Sequence, residues 1–241
     1  LEFRRVLFRS DRQRIGLIGH SEGGLIAPMV AAGEGKRDIA FAVLIAPPAV
    51  PLGDIIVHQS RLIDAAEGLA EADRVANDTL TKAAMKIIAS DAAPEERRRQ
   101  LTSAVDAAWE AMSTEARNQS GGSREAALQQ TTRMDSPWLR YLVALDPTTD
   151  LRRMTCPTLA LFGGKDLQVD PTQNEPPLRR AFADGGTTKP TIVVLPDHNH
   201  LFQHTKTGKP SEYATLEETF STTALDTIRD WLQQHVPPRT K

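Results

Sequence analysis

A serine between two glycines is the first feature of this 241-residue chain that could carry out chemistry. Ser21 lies in the segment Gly19-His20-Ser21-Glu22-Gly23. A serine hydroxyl is a weak nucleophile at neutral pH, and it becomes reactive when a sharp turn presents it beside a base. Glycines two residues to either side relieve crowding in such a turn between a strand and a helix. The segment therefore predicts Ser21 as a nucleophile, with Gly19 and Gly23 as the glycines of the turn.

The residues around this segment predict the strand and helix that the turn requires. The apolar run 15–18 precedes it, and the following apolar residues recur at helical spacing: Leu25, Ile26, Met29 and Val30. Gly33 and Gly35 are plausible helix stops. The amides and dipole at the start of a helix favour negative charge, so we expect the Glu22 backbone N–H to be one oxyanion donor.

A base and an acid follow two later apolar runs. Asp166 comes shortly after the run 158–162, and His200 comes after the run 191–195. The order serine, acid, histidine is typical of one class of catalytic triad. In that arrangement His200 takes and returns the Ser21 proton, while Asp166 orients the imidazole.

Other residues compete for these roles. Asp170 follows Asp166 by four residues, although the tight Gly-Gly-Lys turn before Asp166 favours the nearer acid. Spacing does not choose among three histidines after the last run: His198, His200 and His204. With Asp197 they could instead bind a metal ion, because imidazole and carboxylate are common ligands. We favour the triad over the metal site, and we expect His20 to point away from Ser21.

The apolar runs also predict the fold class. The runs 15–18, 41–45, 158–162 and 191–195 are continuous rather than alternating, and each ends at Gly or Pro. Such runs are typical of a parallel sheet covered by helices on both faces, which indicates an α/β protein. Near the end of the chain, apolar residues at helical spacing predict one more helix, which ends before Pro237-Pro238. The apolar face of this helix is formed by Leu225, Ile228, Trp231 and Leu232.

Residues 54–140 differ in composition from the rest of the chain. They are rich in Ala, Glu and Arg and contain no convincing strand, so we predict a helical cap inserted into an α/β core made of 11–53 and 141–241. The segment Ser120-Gly121-Gly122-Ser123 is expected to be a loop between two of its helices.

Composition excludes several classes of partner. The chain has 29 basic and 31 acidic residues, so charge gives no reason to expect binding to nucleic acid or to an anionic membrane. No apolar run approaches the ~18 to 20 residues that a membrane-spanning helix needs. The single cysteine, Cys156, allows no internal disulfide, and both a cytoplasmic and a secreted location are compatible with it.

Four blocks of the sequence resemble a known family. They are IGLIGHSEGGLIAPMVAA, AFAVLIAPPAVPLGDIIVHQ, LFGGKDLQVDPTQN and NHLFQHTKTGKPSEYATLEETFS. Together they resemble bacterial α/β-hydrolases of the dienelactone-hydrolase and serine-aminopeptidase-like group, near EstD-type esterases. The resemblance implies that the histidine of the NHLFQ block, His200, is catalytic. It also implies carboxylesterase activity on small-molecule short-acyl esters, without a metal or organic cofactor. A peptidase or acyltransferase with the same triad, or a non-catalytic binding module, are the alternatives.

The beginning of the chain departs from this family. The first ten residues, LEFRRVLFRS, resemble a translated sequencing adapter, so we leave residues 1–10 out of the fold. The family has strands before the serine turn, and one of their loops supplies the second oxyanion donor. We therefore expect the strand 15–18 to be an unpaired edge, and the isolated chain to be poorly soluble or nearly inactive.

Overall fold

The chain folds as two units, each with its own core. The computed structural model describes residues 14–33, 38–185 and 189–236. The first unit contains the described residues up to Val50 and those from Asp146 onward, and the second is Pro51–Leu145. The adapter-like segment 1–10, Gly35 and Pro237-Pro238 lie outside the described residues.

The first unit is built on a parallel sheet. Its strands are β1 (Gly16–His20), β2 (Phe41–Ile45), β3 (Thr158–Gly163) and β4 (Thr191–Leu195), and their order across the sheet is β1-β2-β3-β4. All three neighbouring pairs are parallel, and Ile18 is in register with Val43. The α/β class and the parallel sheet predicted from the apolar runs are confirmed.

A helix follows β1 directly, and the second unit is helical. Helix α1 (Glu22–Ala32) belongs to the first unit. The helices of the second unit are α2 (Leu52–Glu67), α3 (Glu71–Ile88), α4 (Pro94–Ala111), α5 (Thr114–Gln119), α6 (Arg124–Arg133) and α7 (Pro137–Ala144). Residues 51–145, all of which the structure describes, contain no strand. Gly121 and Gly122, in the predicted loop between α5 and α6, have φ angles of 97° and 75°.

The remaining helices return to the first unit. They are α8 (Thr148–Arg153), α9 (Pro171–Gly185) and α10 (Thr222–His235), with a 3₁₀ helix at Pro210–Thr215 before α10. The Ser221 hydroxyl caps α10 by accepting a hydrogen bond from the Ala224 N–H at 3.0 Å. None of the described helices has the length and hydropathy needed to cross a membrane.

The core of the first unit lies on β2 and β3. Leu44 of β2 and Phe162 of β3 are fully buried, and they pack with helix residues Leu151 and Leu178. The two central strands are thus covered, while β1 and β4 are the edges of the sheet formed by the described residues. On β1, Ile18 keeps 60% of its surface exposed. This edge position is the one that the sequence predicts for the strand before Ser21.

Candidate active site

Ser21 occupies a strained turn at the carboxyl end of β1. Its φ is 55° and its ψ is −113°. A positive φ is unfavourable for a residue with a Cβ, and such conformations cost about 1–3 kcal/mol and concentrate at functional sites. Two backbone hydrogen bonds hold the turn: Ser21 N–H donates to the Ile45 carbonyl and Gly24 N–H donates to the Ser21 carbonyl, both at 2.8 Å. The surrounding backbone therefore imposes the conformation of Ser21.

The glycines of the turn have different steric roles from those the sequence predicts. A Cβ on Gly19 would lie 2.0 Å from the Gly23 carbonyl oxygen, so the close approach of strand and helix requires glycine there. A Cβ on Gly23 would meet nothing within 4 Å. The neighbouring Gly24 is the crowded position, because its Cβ would lie 2.9 Å from the Pro47 Cα. The steric reason given for Gly23 thus belongs to Gly24, and Gly23 contributes its backbone carbonyl to the contact.

The start of α1 places unsatisfied amides beside Ser21. Ser21 is the N-cap residue of α1, and within the described chain its side chain makes no capping hydrogen bond. The Ser21 hydroxyl therefore does not cap the helix. Glu22 is the first residue of α1, and the N–H groups of a first helical turn have no acceptor within the helix. These amides can stabilise an oxyanion next to Ser21.

Asp166 and His200 are brought together in the loops that follow β3 and β4. The His200 Nδ1 lies 2.8 Å from the Asp166 Oδ2. The other carboxylate oxygen of Asp166 accepts hydrogen bonds from the backbone N–H groups of Gln168 at 2.8 Å and Val169 at 2.9 Å. Both side chains are buried, with 7% of His200 and none of Asp166 exposed. Asp166 is therefore fixed by backbone amides and directed at the imidazole.

The rival acid has a different partner. The Asp170 carboxylate accepts hydrogen bonds from the N–H and hydroxyl of Thr172, at the start of α9. These bonds satisfy amides of the first helical turn. The Asp170 carboxylate thus caps the N-terminus of α9.

The other histidines after β4 also have partners of their own. The His198 Nε2 lies 2.6 Å from the Ser221 Oγ, and the His204 Nδ1 lies 3.0 Å from the Glu218 carboxylate. Burial lowers the pKa of His198, and the neighbouring His204 lowers it further. Asp197 pairs with Lys165 at 2.9 Å. Among the described residues, no three His, Cys, Asp or Glu side chains converge as a metal site would require.

His20 contacts His200, a contact that the sequence did not predict. Its Nε2 donates a hydrogen bond to the His200 carbonyl at 2.8 Å, and the two ring centroids are 4.8 Å apart. Partial desolvation lowers the pKa of His20, and the hydrogen bond to His200 opposes that shift. Since His20 directly precedes Ser21, this contact brings the His200 loop to the carboxyl end of β1.

Tyr213 is a further neighbour that sequence reasoning missed. Its hydroxyl accepts a hydrogen bond from the Gln168 side chain at 3.0 Å, and it lies near the His200 backbone. Burial raises the pKa of Tyr213, and the charge of Asp166 raises it further. Tyr213 thus links the loop after β3 to the loop of His200. Its one sequence signal is its place within the last of the four family-like blocks.

The comparison with protein families identifies the chain. A profile of the Alpha/beta hydrolase family matches residues 2–215, which is most of the 241 residues. The chain belongs to the α/β-hydrolase family. Among curated proteins, the esterase EstD of Thermotoga maritima is similar to this α/β-hydrolase, with 27% identity over 193 residues. That match covers 80% of this chain and 36% of the relative, so the chain spans about a third of the relative's length.

Two solved structures that are similar to the chain are more distant from it in sequence. An esterase of Pyrococcus furiosus has 10% identity and a TM-score of 0.48, and the match covers 97% of this chain and 59% of that one. An enol-lactonase from Burkholderia xenovorans has 16% identity and a TM-score of 0.42, covering 92% of this chain and 66% of that one.

Proposed function

We propose that this α/β-hydrolase cleaves small-molecule carboxylic esters through an acyl-enzyme intermediate on Ser21. The observation that carries the proposal is the strained turn of Ser21, in a unit that also holds the buried Asp166–His200 pair. Backbone strain is maintained where surrounding contacts impose it, and such sites are often functional. The EstD relative is named an esterase, which supports an ester as the substrate class.

The reaction would follow from the roles of three side chains. The His200 Nε2 accepts the Ser21 proton as the Ser21 Oγ attacks the ester carbonyl carbon. The carbonyl oxygen becomes an oxyanion that the Glu22 N–H stabilises. The intermediate collapses, the bond to the alcohol oxygen breaks, and His200 protonates the leaving alcohol. Water then attacks the acyl group by the same route and releases the acid and free Ser21.

Asp166 would act on this reaction through His200. The His200 Nδ1–H donates to the Asp166 Oδ2, which fixes the tautomer whose Nε2 is free to accept a proton. The buried carboxylate also stabilises the imidazolium that forms after proton transfer.

Chemical labelling and turnover together test the proposal. A fluorophosphonate should label Ser21, and Ser21→Ala should abolish the labelling. The same substitution should lower kcat for p-nitrophenyl acetate by roughly 10⁴- to 10⁶-fold. Ser103→Ala, at an exposed position on α4, is the matched control. It should change neither the fluorophosphonate labelling nor kcat.

Three results would contradict the proposal. Undiminished ester turnover by Ser21→Ala would exclude Ser21 as the nucleophile. Faster turnover of an aminoacyl amide or a thioester than of the matched ester would assign the same triad to a peptidase or an acyltransferase. Ligand binding without any turnover would instead indicate a binding module.

A further inference from the structure

The helical unit contains a cavity of its own. Its volume is about 440 Å³, and every residue that lines it belongs to Pro51–Leu145. Small-molecule sites in proteins typically enclose ~300–1,000 Å³ and are mostly apolar with a few polar groups. The cavity therefore has the size of a small-ligand site.

The cavity lies between two separate hydrophobic clusters of this unit. One cluster contains Ala76, Ala108, Met112 and Ala116, and the other contains Ala84, Met85, Ile88 and Leu101. Members of both clusters line the cavity, so the side chains do not close the space between them. A bound apolar group would join the two clusters.

The two ends of the cavity differ in polarity. Helices α2 and α3 are joined by a short turn, and Asn77 of α3 donates hydrogen bonds to Ser60 and Asp64 of α2. These three residues line the cavity toward the turn, whereas Ile56 and Met85 line it toward the other ends of the two helices. Hydrogen-bonded polar side chains thus line the part of the cavity near the α2–α3 turn, which we call its polar end, and the apolar residues Ile63 and Leu69 line it there as well.

The polar end carries negative charge. The lining includes the carboxylates of Asp64, Glu67 and Asp73, and of the residues that the structure describes, no Lys, Arg or His lines the cavity. Asp73 is engaged by the N–H and hydroxyl of Ser113, at 2.7 Å each. Asp64 has hydrogen bonds from the neutral groups of Asn77, at 2.6 Å, and Ser60.

Among the residues that the structure describes, no Lys, Arg or His side chain that lines the cavity contacts Asp64. Arg74 acts on it only through longer-range attraction. Burial raises the pKa of Asp64, against the effect of its hydrogen bonds. A carboxylate in partly buried surroundings is stabilised by an adjacent positive charge, so a ligand cation would supply what the protein side chains do not.

We infer that the helical unit binds a primary alkylammonium ligand, with its hydrocarbon chain between the two clusters and its ammonium group at Asp64. The apolar lining selects the chain, and the carboxylates select the charge. A fatty acid anion of the same length would bring a further negative charge to the polar end and would bind weakly. The inference concerns a site other than Ser21 and does not depend on ester hydrolysis.

Three ligands with the same chain and different head groups test the inference. Isothermal titration of the whole 241-residue chain with n-octylamine, n-octanol and n-octanoate, below micelle-forming concentrations, measures the three affinities. We expect saturable binding of n-octylamine that is at least about tenfold tighter than that of n-octanoate, because the carboxylates attract one head group and repel the other. Equal affinities, or no saturable binding of n-octylamine, would overturn the inference.

Variants then locate the binding. Asp64→Asn keeps the shape of the side chain and should weaken n-octylamine at least about tenfold. Asp106→Asn is the matched control, because Asp106 pairs with Arg124 and does not line the cavity. Ala127→Phe places a ring in the cavity and should abolish binding of n-octylamine and n-octanol.

Further measurements separate this site from the proposed active site and from misfolding. Ser21→Ala should leave the binding unchanged, and circular dichroism checks that each variant is folded. If Asp64→Asn fails to fold, the head-group comparison on the unmodified chain still decides the inference. Retained n-octylamine binding by folded Ala127→Phe would show that the ligand binds elsewhere.

Discussion

The two carboxylate oxygens of Asp166 have separate tasks. Oδ1 accepts from the Gln168 and Val169 backbone amides, and Oδ2 contacts the His200 imidazole. The backbone of the loop after β3 thus decides the direction of the carboxylate. Asp170 is only four residues away and has the same chemistry, but its hydrogen bonds go to Thr172.

Asparagine substitutions at the two positions should therefore differ in their effect on turnover. In Asp166→Asn the amide oxygen can keep the backbone hydrogen bonds, while the NH₂ group faces the His200 Nδ1 and favours the wrong tautomer. We expect kcat for p-nitrophenyl acetate to fall about 10⁴-fold, the loss known for such a change in a triad. Asp170→Asn should change kcat by less than about threefold, because it weakens a helix cap and leaves the Asp166–His200 pair in place. A larger loss from Asp170→Asn would reverse the assignment of the acid.

The chain order of serine, acid and histidine was readable from the sequence, whereas the neighbours of His200 were not. Spacing did not choose between His198 and His200, because the loop after β4 has no repeating geometry. Phe202 in that loop has a φ of 58°, and such a residue changes which way its neighbours point. His20 and Tyr213 reach His200 only through the tertiary fold, and no local pattern records such contacts.

At the scale of elements, the junction of β1 and α1 determines the site. The apolar run predicted a strand ending at residue 18, but β1 continues to His20 because Gly19 and His20 pair with Leu44 and Ile45. Pairing with β2 thus extends β1 over two residues, Gly19 and His20, that have low strand propensity of their own. The parallel strands and the helical character of 51–145 followed from hydrophobic patterns, which report burial over many residues. The steric contacts at Gly19, Gly23 and Gly24 did not follow from these patterns.

Alanine substitutions at the two predicted glycines should have opposite outcomes. Gly19→Ala would place a Cβ 2.0 Å from the Gly23 carbonyl, so we expect a loss of more than about 3 kcal/mol in the free energy of unfolding, or failure to fold. Gly23→Ala meets no neighbour, lies within α1 and should raise that free energy by up to about 1 kcal/mol. Urea unfolding followed by circular dichroism measures both. Strong destabilisation by Gly23→Ala would contradict the open space found around the Gly23 Cβ position.

At the scale of the whole molecule, one chain forms two units with separate cores. The second unit is inserted between β2 and β3 of the first, and the chain leaves the first unit after Val50 and returns at Asp146. Each unit buries its own apolar clusters. The exposed apolar surface of the first unit includes Ile18 on the edge strand β1.

This edge should govern how the isolated chain associates. An exposed apolar edge strand is a template for pairing with another chain, and a lysine on such a strand opposes pairing. Ile18 is 60% exposed, so Ile18→Lys costs little burial and should lower the aggregate fraction of the purified chain. Light scattering against protein concentration measures that fraction. Leu225→Lys, at a position on α10 that is 53% exposed, adds the same charge away from the sheet and is the control. An equal reduction in both variants would attribute the effect to net charge, whereas a reduction in Ile18→Lys alone would identify β1 as the associating surface.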